Sequence, residues 1–441
     1  MKIQLPEKVA FIINTIEKAG YEAYAVGGCV RDSILGRIPD DWDITTSAKP
    51  EEVKALFRRT IDTGLQHGTV TVMLDKDGYE VTTYRIDGAY EDSRHPKEVT
   101  FTANLVEDLK RRDFTINAMA YNESTGLVDV FGGLQDIEGK TIRCVGDARE
   151  RFGEDALRIM RAVRFSAQLG YEIEDQTAVA IRELSDTLKN ISAERIQVEL
   201  VKLLISPHPD YMRQAYEMGI TKVILPEWDA VMVCGQNHPH HCYTVGEHTL
   251  HGLKEIEADK IYRLAMLFHD IGKPVAKTKG EDGFDHFHGH PKIGEEMTKA
   301  ILRRLKFDND TIYKVSKLVL YHDYGNGVTP SLAIVRRAIN KIGEDIFPML
   351  FPVKKADLAA QSDYKREEKQ HSLAQWEECY REIVRQQHCV SLKTLAVTGS
   401  DLIAAGMQPG RELGEVLQRL LDEVLENPDL NTKEYLMSRI F

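Results

Sequence analysis

The spacing of apolar and polar positions changes character part-way along the chain. Leu5–Lys18 carries its apolar residues at helical spacing and stops near Gly20, which predicts a helix. Tyr24–Val26 reads as a strand, the stretch after Gly28 as a short helix ending at Gly36, and Trp42–Thr45 as a second strand. Val70–Leu74 and Tyr79–Tyr84 flank "DKDG", the signal of a hairpin turn. The first part thus predicts a small, mostly antiparallel sheet with helices, and the chain as a whole an α+β fold. From about Asp147 onward the pattern turns helical almost throughout. "EDALRIMRAVRFSAQLG" ends at Gly170, and "SAERIQVELVKLL" follows with Ser192 as a capping candidate. A histidine-rich helical region then runs to about residue 365, and a last helical stretch covers 398–441. The division expected is a head over 1–125, a helical neck and start of a body over 126–235, a second helical domain over 236–370 and a tail over 371–441.

Composition narrows the picture. A net charge of −12 excludes a broadly basic surface, so any contact with nucleic acid has to come from a local patch. Lys140–Arg164 is such a patch, with seven basic residues against four acidic ones. Six scattered cysteines without a C-x-x-C pair read as reduced thiols of a cytoplasmic protein. No apolar stretch has the length to span a bilayer, and the N-terminus has no signal-peptide core, so no membrane partner is expected.

"GGCVRDSILGRIPDDWDIT" crowds acidic residues beside Trp42 and Ile44. Two apart on a predicted strand, Asp41 and Asp43 would share one face, roughly 7 Å apart. Close carboxylates repel unless a cation lies between them, and magnesium takes one or two carboxylates together with substrate phosphates. Glu80, in "YEVTTYR", is the candidate third ligand. A solvated acidic strand end would show the same short pattern. The residues upstream favour the metal: Gly27 and Gly28 precede a helix start where free N–H groups can meet an anion, and Arg31 adds positive charge there. Phosphate cradle and carboxylate pair together point to a nucleoside triphosphate handled with Mg2+.

"GGCVRD…DDWDIT", "DGAYEDSRHPKEVTF", "DLKRRDFTINAMAYN", "RFGEDALRIMRAVRF" and, further on, "SAERIQVELVKLL" and "VTGSDLIAAGMQPGRELGEVL" follow one another in an order that resembles the class II tRNA nucleotidyltransferases, the CCA-adding enzymes and their poly(A) polymerase relatives. The resemblance implies a polymerase-β-like nucleotidyltransferase head followed by all-helical neck, body and tail. It implies addition of CCA to the acceptor end of tRNA from CTP and ATP, without a nucleic-acid template. Poly(A) polymerase or A-only addition is the nearest alternative. A nucleotide phosphohydrolase with a sensory head is a more distant one.

Lys110, Arg111 and Arg112 read as a basic cluster at a helix N-terminus, a place the macrodipole disfavours, which suggests an anionic ligand. By the resemblance, Arg111, Arg112, Asp113 and Asn117 contact the ribose and phosphates of the incoming nucleotide. Asp155 lies three residues before Arg158 and Glu154 four, on one face of a predicted helix, and Arg161 and Arg164 continue a basic stripe. An exposed ion pair would account for the first spacing. An Arg fork beside a carboxylate could equally pair with the edge of cytosine or adenine. The resemblance implies the second use, with Gly28, Arg31, Arg161 and Arg164 in the same nucleotide site. "YEDSRHPKEV", with Tyr90 and Arg94, resembles the flexible loop that CC-only enzymes lack.

His248, the pair His269-Asp270, His290, the pair His322-Asp323, and Asp357 are spread over separate helical segments. Imidazoles with carboxylates suit a divalent metal that activates water. The pattern resembles the HD phosphohydrolase superfamily. It implies His248, His269, Asp270 and Asp357 as the basic ligand set, with His290 and His322 available for a second metal of unspecified identity.

Overall fold

Val9, Ile12, Ile13 and Ile16 form the buried face of the first helix, Glu7–Lys18, which packs on the strand after it. That strand, β1 (Ala23–Val26), is buried at all four positions, as an apolar run covered on both faces should be. It is followed by the helix Gly28–Ile34 and by β2 (Ile44–Thr46), β3 (Thr60–Gly64), β4 (Thr69–Leu74), β5 (Asp77–Thr83), β6 (Arg85–Asp87), β7 (Val99–Phe101), β8 (Ala120–Asn122) and β9 (Gly126–Val128). The structure, a computed structural model, describes residues 2–88 and 99–440. Seven strands form one sheet in the order β3-β4-β5-β2-β1-β8-β9. Only the β2–β5 pairing is parallel, so the expectation of a small, mostly antiparallel sheet holds. Strands β6 and β7 pair separately.

The hairpin is tighter than the sequence suggested. Leu74 pairs with Asp77, so only Asp75 and Lys76 turn, with Asp75 left-handed at φ 57°. A larger correction concerns the acidic run. Strand β2 begins at Ile44 rather than Trp42. Asp41 and Asp43 therefore lie in the extended approach to the strand, although Val26 N still donates to Asp43 O at 3.0 Å. The two carboxylates are exposed, whereas Ile44, Thr45 and Thr46 are buried. Pairing continues where both sheet faces are covered and stops where charged side chains need water.

The chain divides into two compact units, Met1–Pro226 and Glu227–Phe441. In the first unit two further corrections concern helices. The basic cluster is not at a helix N-terminus: the helix Leu105–Lys110 ends on it, and Arg111 is its C-cap, where the macrodipole favours cations. The stretch "EDALRIMRAVRF" is not one helix either. The helix Ala148–Glu154 stops, Asp155 adopts extended backbone, and a new helix, Leu157–Leu169, begins. Asp155 Oδ1 accepts from Leu157 N at 3.0 Å, so this carboxylate starts the second helix. Gly170 ends that helix in the left-handed region, as expected. Ser192 does precede the helix Ala193–Leu204, but its hydroxyl makes no capping bond.

Leu157–Leu169 packs along Ala193–Leu204, and Arg164 joins them by a 2.8 Å ion pair with Glu199. Both side chains are buried. Burial pulls the Arg164 guanidinium down to about 10 and Glu199 opposes that pull, so it remains charged at neutral pH.

In the second unit, the helices Val245–Glu255, Lys260–Phe268, His290–Arg304, Asn309–Tyr321 and Leu350–Ala359 form the central bundle. Thr244, Asp259 and Asp308 cap three of them through bonds to backbone N–H groups. The helix Arg366–Arg385 runs continuously through positions 370 and 371, where a step between domains was expected. Near the C-terminus, Arg336 donates to the carbonyls of Leu425 and Glu426, both at 2.7 Å, and so satisfies the open end of the helix Arg411–Glu426. All six cysteines are free. No described helix is long and apolar enough to cross a membrane.

Removing one partner of a buried ion pair leaves the other charge stranded. Glu199→Ala should therefore cost about 3–5 kcal/mol of unfolding free energy. Glu183→Ala, which breaks the half-exposed Arg149–Glu183 pair, should cost no more than about 1 kcal/mol. Urea denaturation of the two variants side by side measures the difference.

Candidate functional site

The head site starts from the glycine at the end of β1. Gly27 has φ 86°, and a Cβ there would come within 3.1 Å of Arg112 Nη1, so a side chain at this position is both strained and obstructed. Gly28 opens the helix Gly28–Ile34, from which Arg31 turns inward. A continuous chain of polar contacts follows. Arg31 Nη1 donates to Asn117 Oδ1 at 2.7 Å, Asn117 Nδ2 donates to Asp113 Oδ1 at 3.2 Å, and Arg161 Nε donates to Asp113 Oδ2 at 2.8 Å. Four residues singled out for nucleotide binding thus form one network. Burial alone would raise the Asp113 carboxyl, but the charge and hydrogen bond of Arg161 hold it well below the usual carboxylate range.

Asp43 lies within electrostatic reach of Asp41 and of Arg112, whose guanidinium stands beside Gly27. Crowding by protein atoms raises the Asp43 carboxyl, the neighbouring Asp41 charge adds to the effect, and Arg112 works against it. Two like charges in that state are a fitting seat for a divalent cation. Glu80 lies one residue before Val81, which pairs with Ile44, so it is next to Asp43 across the parallel β2–β5 ladder. Among the described residues, Asp41, Asp43 and Glu80 do not form a group with oxygens within 4.8 Å of one another. Arg112 Nε is buried with no hydrogen-bond partner, and burial lowers the Arg112 guanidinium despite Asp108 and Asp43. An orphaned donor in a cationic side chain suits an anionic ligand.

The stripe along Leu157–Leu169 resolves into separate pairs. Arg158 Nη1 bonds Glu154 at 2.6 Å, and its Nη2 donates to Arg111 O at 2.9 Å. Arg161 takes Asp113, and Arg164 takes Glu199 and lies 3.9 Å from the Phe165 ring centroid. Asp155 is held by Arg195 at 2.7 Å. Arg161 and Arg164, read from sequence as the continuation of a basic stripe, find their partners in other segments that sequence spacing cannot show.

Sequence reasoning missed Asp108, which is fully buried and bonds Arg111 at 2.9 Å and Thr45 at 3.1 Å. Burial raises its carboxyl, but Arg111 and Arg112 outweigh that and lower it. The three- and four-residue spacing of Asp108 to the two arginines was the available signal. Arg195 and Glu199 were missed too; both stand in the helix quoted from sequence. Tyr90 and Arg94 lie outside the described residues.

The second unit gathers all six candidate ligands. His248 Nε2 is 2.8 Å from Asp357 Oδ1 and 3.3 Å from His269 Nε2. His290 Nε2 is 3.3 Å from both His322 Nε2 and Asp270 Oδ1. Two triads result, His248-His269-Asp270 and Asp270-His290-His322, each with donor atoms within 4.8 Å and Asp270 common to both. Every one of the four imidazoles directs Nδ1 to a backbone carbonyl: Ala360, Met266, Phe287 and Val319 respectively, at 2.7–3.1 Å. That fixes the tautomer with Nε2 facing the cluster, the arrangement metal-ligating histidines adopt. Burial pulls the His322 imidazolium down, yet Asp323 and Asp270 hold it up at about 9. Asp270 Oδ2 is buried without an aligned hydrogen bond, although Lys273 Nζ approaches to 2.6 Å. The donor set fits one or two divalent metal ions. Lys273 was not singled out from sequence, although it stands three residues after Asp270 in "HDIGK".

Comparison with known proteins covers the whole chain. Residues 23–143 match the model of the poly A polymerase head domain, 170–232 that of the probable RNA and SrmB- binding site of polymerase A, and 284–440 that of a putative tRNA nucleotidyltransferase domain 2. A CCA-adding enzyme of Levilactobacillus brevis is 36% identical over 445 residues, spanning 99% of this chain and 98% of its own. The chain belongs to the CCA-adding enzyme family. Another CCA-adding enzyme, from Enterococcus faecalis, is 35% identical over 98% of this chain and 95% of its own. The crystal structure of the Bacillus stearothermophilus CCA-adding enzyme in complex with CTP aligns with a TM-score of 0.72 at 29% identity, over 99% of this chain and 98% of that one. The chain is thus a nucleotidyltransferase of the α+β type that its residues suggested.

If Asp270 serves both triads, Asp270→Ala should lose all divalent metal bound at the cluster, whereas His322→Ala should lose only the share of the second triad. Metal content by mass spectrometry on protein refilled with Mn2+, referred to Asp41→Ala protein, reads both.

Proposed function

We propose that this enzyme completes the 3′ end of tRNA in the cytoplasm, adding C, C and A from CTP and ATP, with Mg2+ at Asp41 and Asp43. The observation that carries the reading is the full-length likeness to CCA-adding enzymes together with the carboxylate pair beside Arg112. In each cycle the 3′ hydroxyl of the tRNA attacks the α-phosphorus of the nucleotide. A new P–O bond forms, the bond to the β-phosphate oxygen breaks, pyrophosphate leaves and the hydroxyl proton is released. When bound, Mg2+ supplies the counter-charge that makes the hydroxyl a better nucleophile and pyrophosphate a better leaving group.

The chain's own groups do the positioning. In this reading Arg111 and Arg112 receive the triphosphate, and Asp108 holds both guanidinium groups in place. Asn117 and Asp113, fixed by Arg31 and Arg161, take the ribose. Asp155 and Arg158 read the base edge: a carboxylate accepts from the exocyclic amine that cytosine and adenine share, while a guanidinium donates to the ring nitrogen. Asp155 already has Arg195 as a partner, so reading a base means sharing that carboxylate or changing partner. The acceptor stem is held by shape and phosphate contacts.

The histidine cluster favours a second reading beside the first: a metal-dependent phosphohydrolase in the same chain, acting on phosphate esters such as 2′,3′-cyclic phosphate ends. Its six ligands stand in the second unit, and the carboxylate pair in the first.

Three outcomes test these assignments. Asp41→Ala should abolish incorporation of both C and A while tRNA binding changes little; near-normal CMP addition would remove the metal assignment. Arg158→Ala should lower CTP and ATP efficiency and narrow their advantage over UTP and GTP by about 1–3 kcal/mol, roughly ten- to a hundredfold. Unchanged selectivity in a four-nucleotide assay would reduce Arg158 to the ion pair with Glu154. The double variant His269→Ala, Asp270→Ala should lose phosphohydrolysis and keep CCA addition. Collapse of both in folded protein would show the two sites to be coupled.

A further inference from the structure

The histidine cluster opens on a cavity of about 850 Å3, and four lysines line it: Lys273, Lys354, Lys365 and Lys369. Two of them, Lys273 and Lys365, are ion-paired. Lys273 is ion-paired with Asp270 at 2.6 Å and bonds Gln236 at 2.7 Å. Lys365 is paired with Glu368, and Lys369 donates to Gln361 Oε1 at 2.7 Å. Lys354 differs. It stands on the helix Leu350–Ala359 one turn before Asp357, hence on the same helix face as that ligand. Its ammonium donates to Asn326 Oδ1 at 3.0 Å and forms no ion pair among the described residues.

Asn326 ties the lysine to the other half of the cluster. Asn326 Nδ2 donates to Asp323 Oδ1 at 3.0 Å, and Asp323 Oδ2 lies 3.4 Å from His290 Nε2. The ammonium thus links elements that carry ligands of both halves: its own helix carries Asp357, and Asn326 reaches Asp323 beside His290. A lysine has three donors, and Asn326 takes one. Burial draws the Lys354 ammonium down to about 8 against the opposing charges of Asp323 and Asp357, so the cation sits on partly desolvated ground. An anion placed there meets a positive charge that water screens weakly.

We propose that Lys354 is the phosphate-binding residue of the second unit, its ammonium receiving the non-bridging oxygens of a phosphate ester seated over the histidine cluster. This rests on the reading of that cluster as a phosphohydrolase metal site. A phosphate dianion brought up to Asp270, Asp323 and Asp357 meets carboxylates on every side. Metal offsets part of that repulsion, and Lys354, with charge and donors left close to Asp323 and Asp357, offsets the remainder.

The experiment uses the full chain refilled with Mn2+, as wild type, Lys354→Met, Lys354→Arg and Asn326→Ala. Metal content, calorimetric affinity for inorganic phosphate and CCA addition are measured on each. The His269→Ala, Asp270→Ala variant gives the background from phosphate bound elsewhere. Lys354→Met should keep the metal content and CCA addition of the wild type and lose tenfold or more in phosphate affinity. Lys354→Arg should restore most of that loss, and Asn326→Ala, which frees the ammonium from its anchor, should weaken phosphate severalfold. Equal phosphate affinity in wild type and Lys354→Met at equal metal content overturns the role of Lys354 and leaves the metal reading standing. Wild-type protein whose metal content matches the double variant overturns the metal reading, and the proposal with it. If Lys354→Met does not fold, the Arg and Asn326 variants decide alone, and wild-type affinity in Asn326→Ala counts against the proposal.

Discussion

Asp113 is a carboxylate in a place that would make it neutral, and Arg161 keeps it charged. Most of the head site depends on that contact. It joins the loop after the basic cluster to the helix Leu157–Leu169, and through Asn117 it reaches Arg31 on the first helix after β1. The buried ion pair Arg164–Glu199 repeats the device between two helices, and buried Asp108 repeats it for Arg111 at the end of its own helix. Such pairs contribute little net stability, because desolvation offsets the Coulomb gain. Their use here is geometric: each fixes a charged side chain in one place.

The second unit solves a related problem with different chemistry. There the carboxylate at the centre, Asp270, touches histidines from several helices and a lysine from its own segment. The imidazoles are held from behind by backbone carbonyls near helix ends or in turns, at Met266, Phe287 and Val319 among others. These bonds aim the Nε2 atoms into the cluster. The two units share a principle, that what is buried must be partnered, and the partners become the orientation of the site.

Period and punctuation were enough to place β1, the hairpin and the helix ending at Gly170, because each rests on local constraints: an apolar run, a tight turn, a left-handed glycine. The histidine set was legible because its residue types are rare together. The errors arose where a non-local contact decided the outcome. Asp155 reads as mid-helix by propensity and spacing, but its carboxylate serves Leu157 N and Arg195 instead, and the helix breaks on it. Lys110–Arg112 reads as a helix start because the apolar run follows it, whereas the helix lies before it. Asp108 was invisible as a site residue because nothing in the sequence says that an ordinary Asp in a short helix is sealed beneath β2 and paired with two arginines.

The bonds from Arg336 to the carbonyls of Leu425 and Glu426 give the end of the chain a structural meaning. Arg336 is a buried cation whose two carbonyl acceptors belong to the last long helix, about ninety positions downstream, with His388 Nδ1 as a third, longer contact at 3.3 Å. A reading frame cut short between Arg336 and that helix would do more than remove an appendage. It would strand a guanidinium inside the fold of the second unit, so premature termination late in the gene becomes a folding lesion upstream. Limited proteolysis of such shortened chains would register it as new cleavage around Leu332–Ile342, and an unchanged pattern there would refute it.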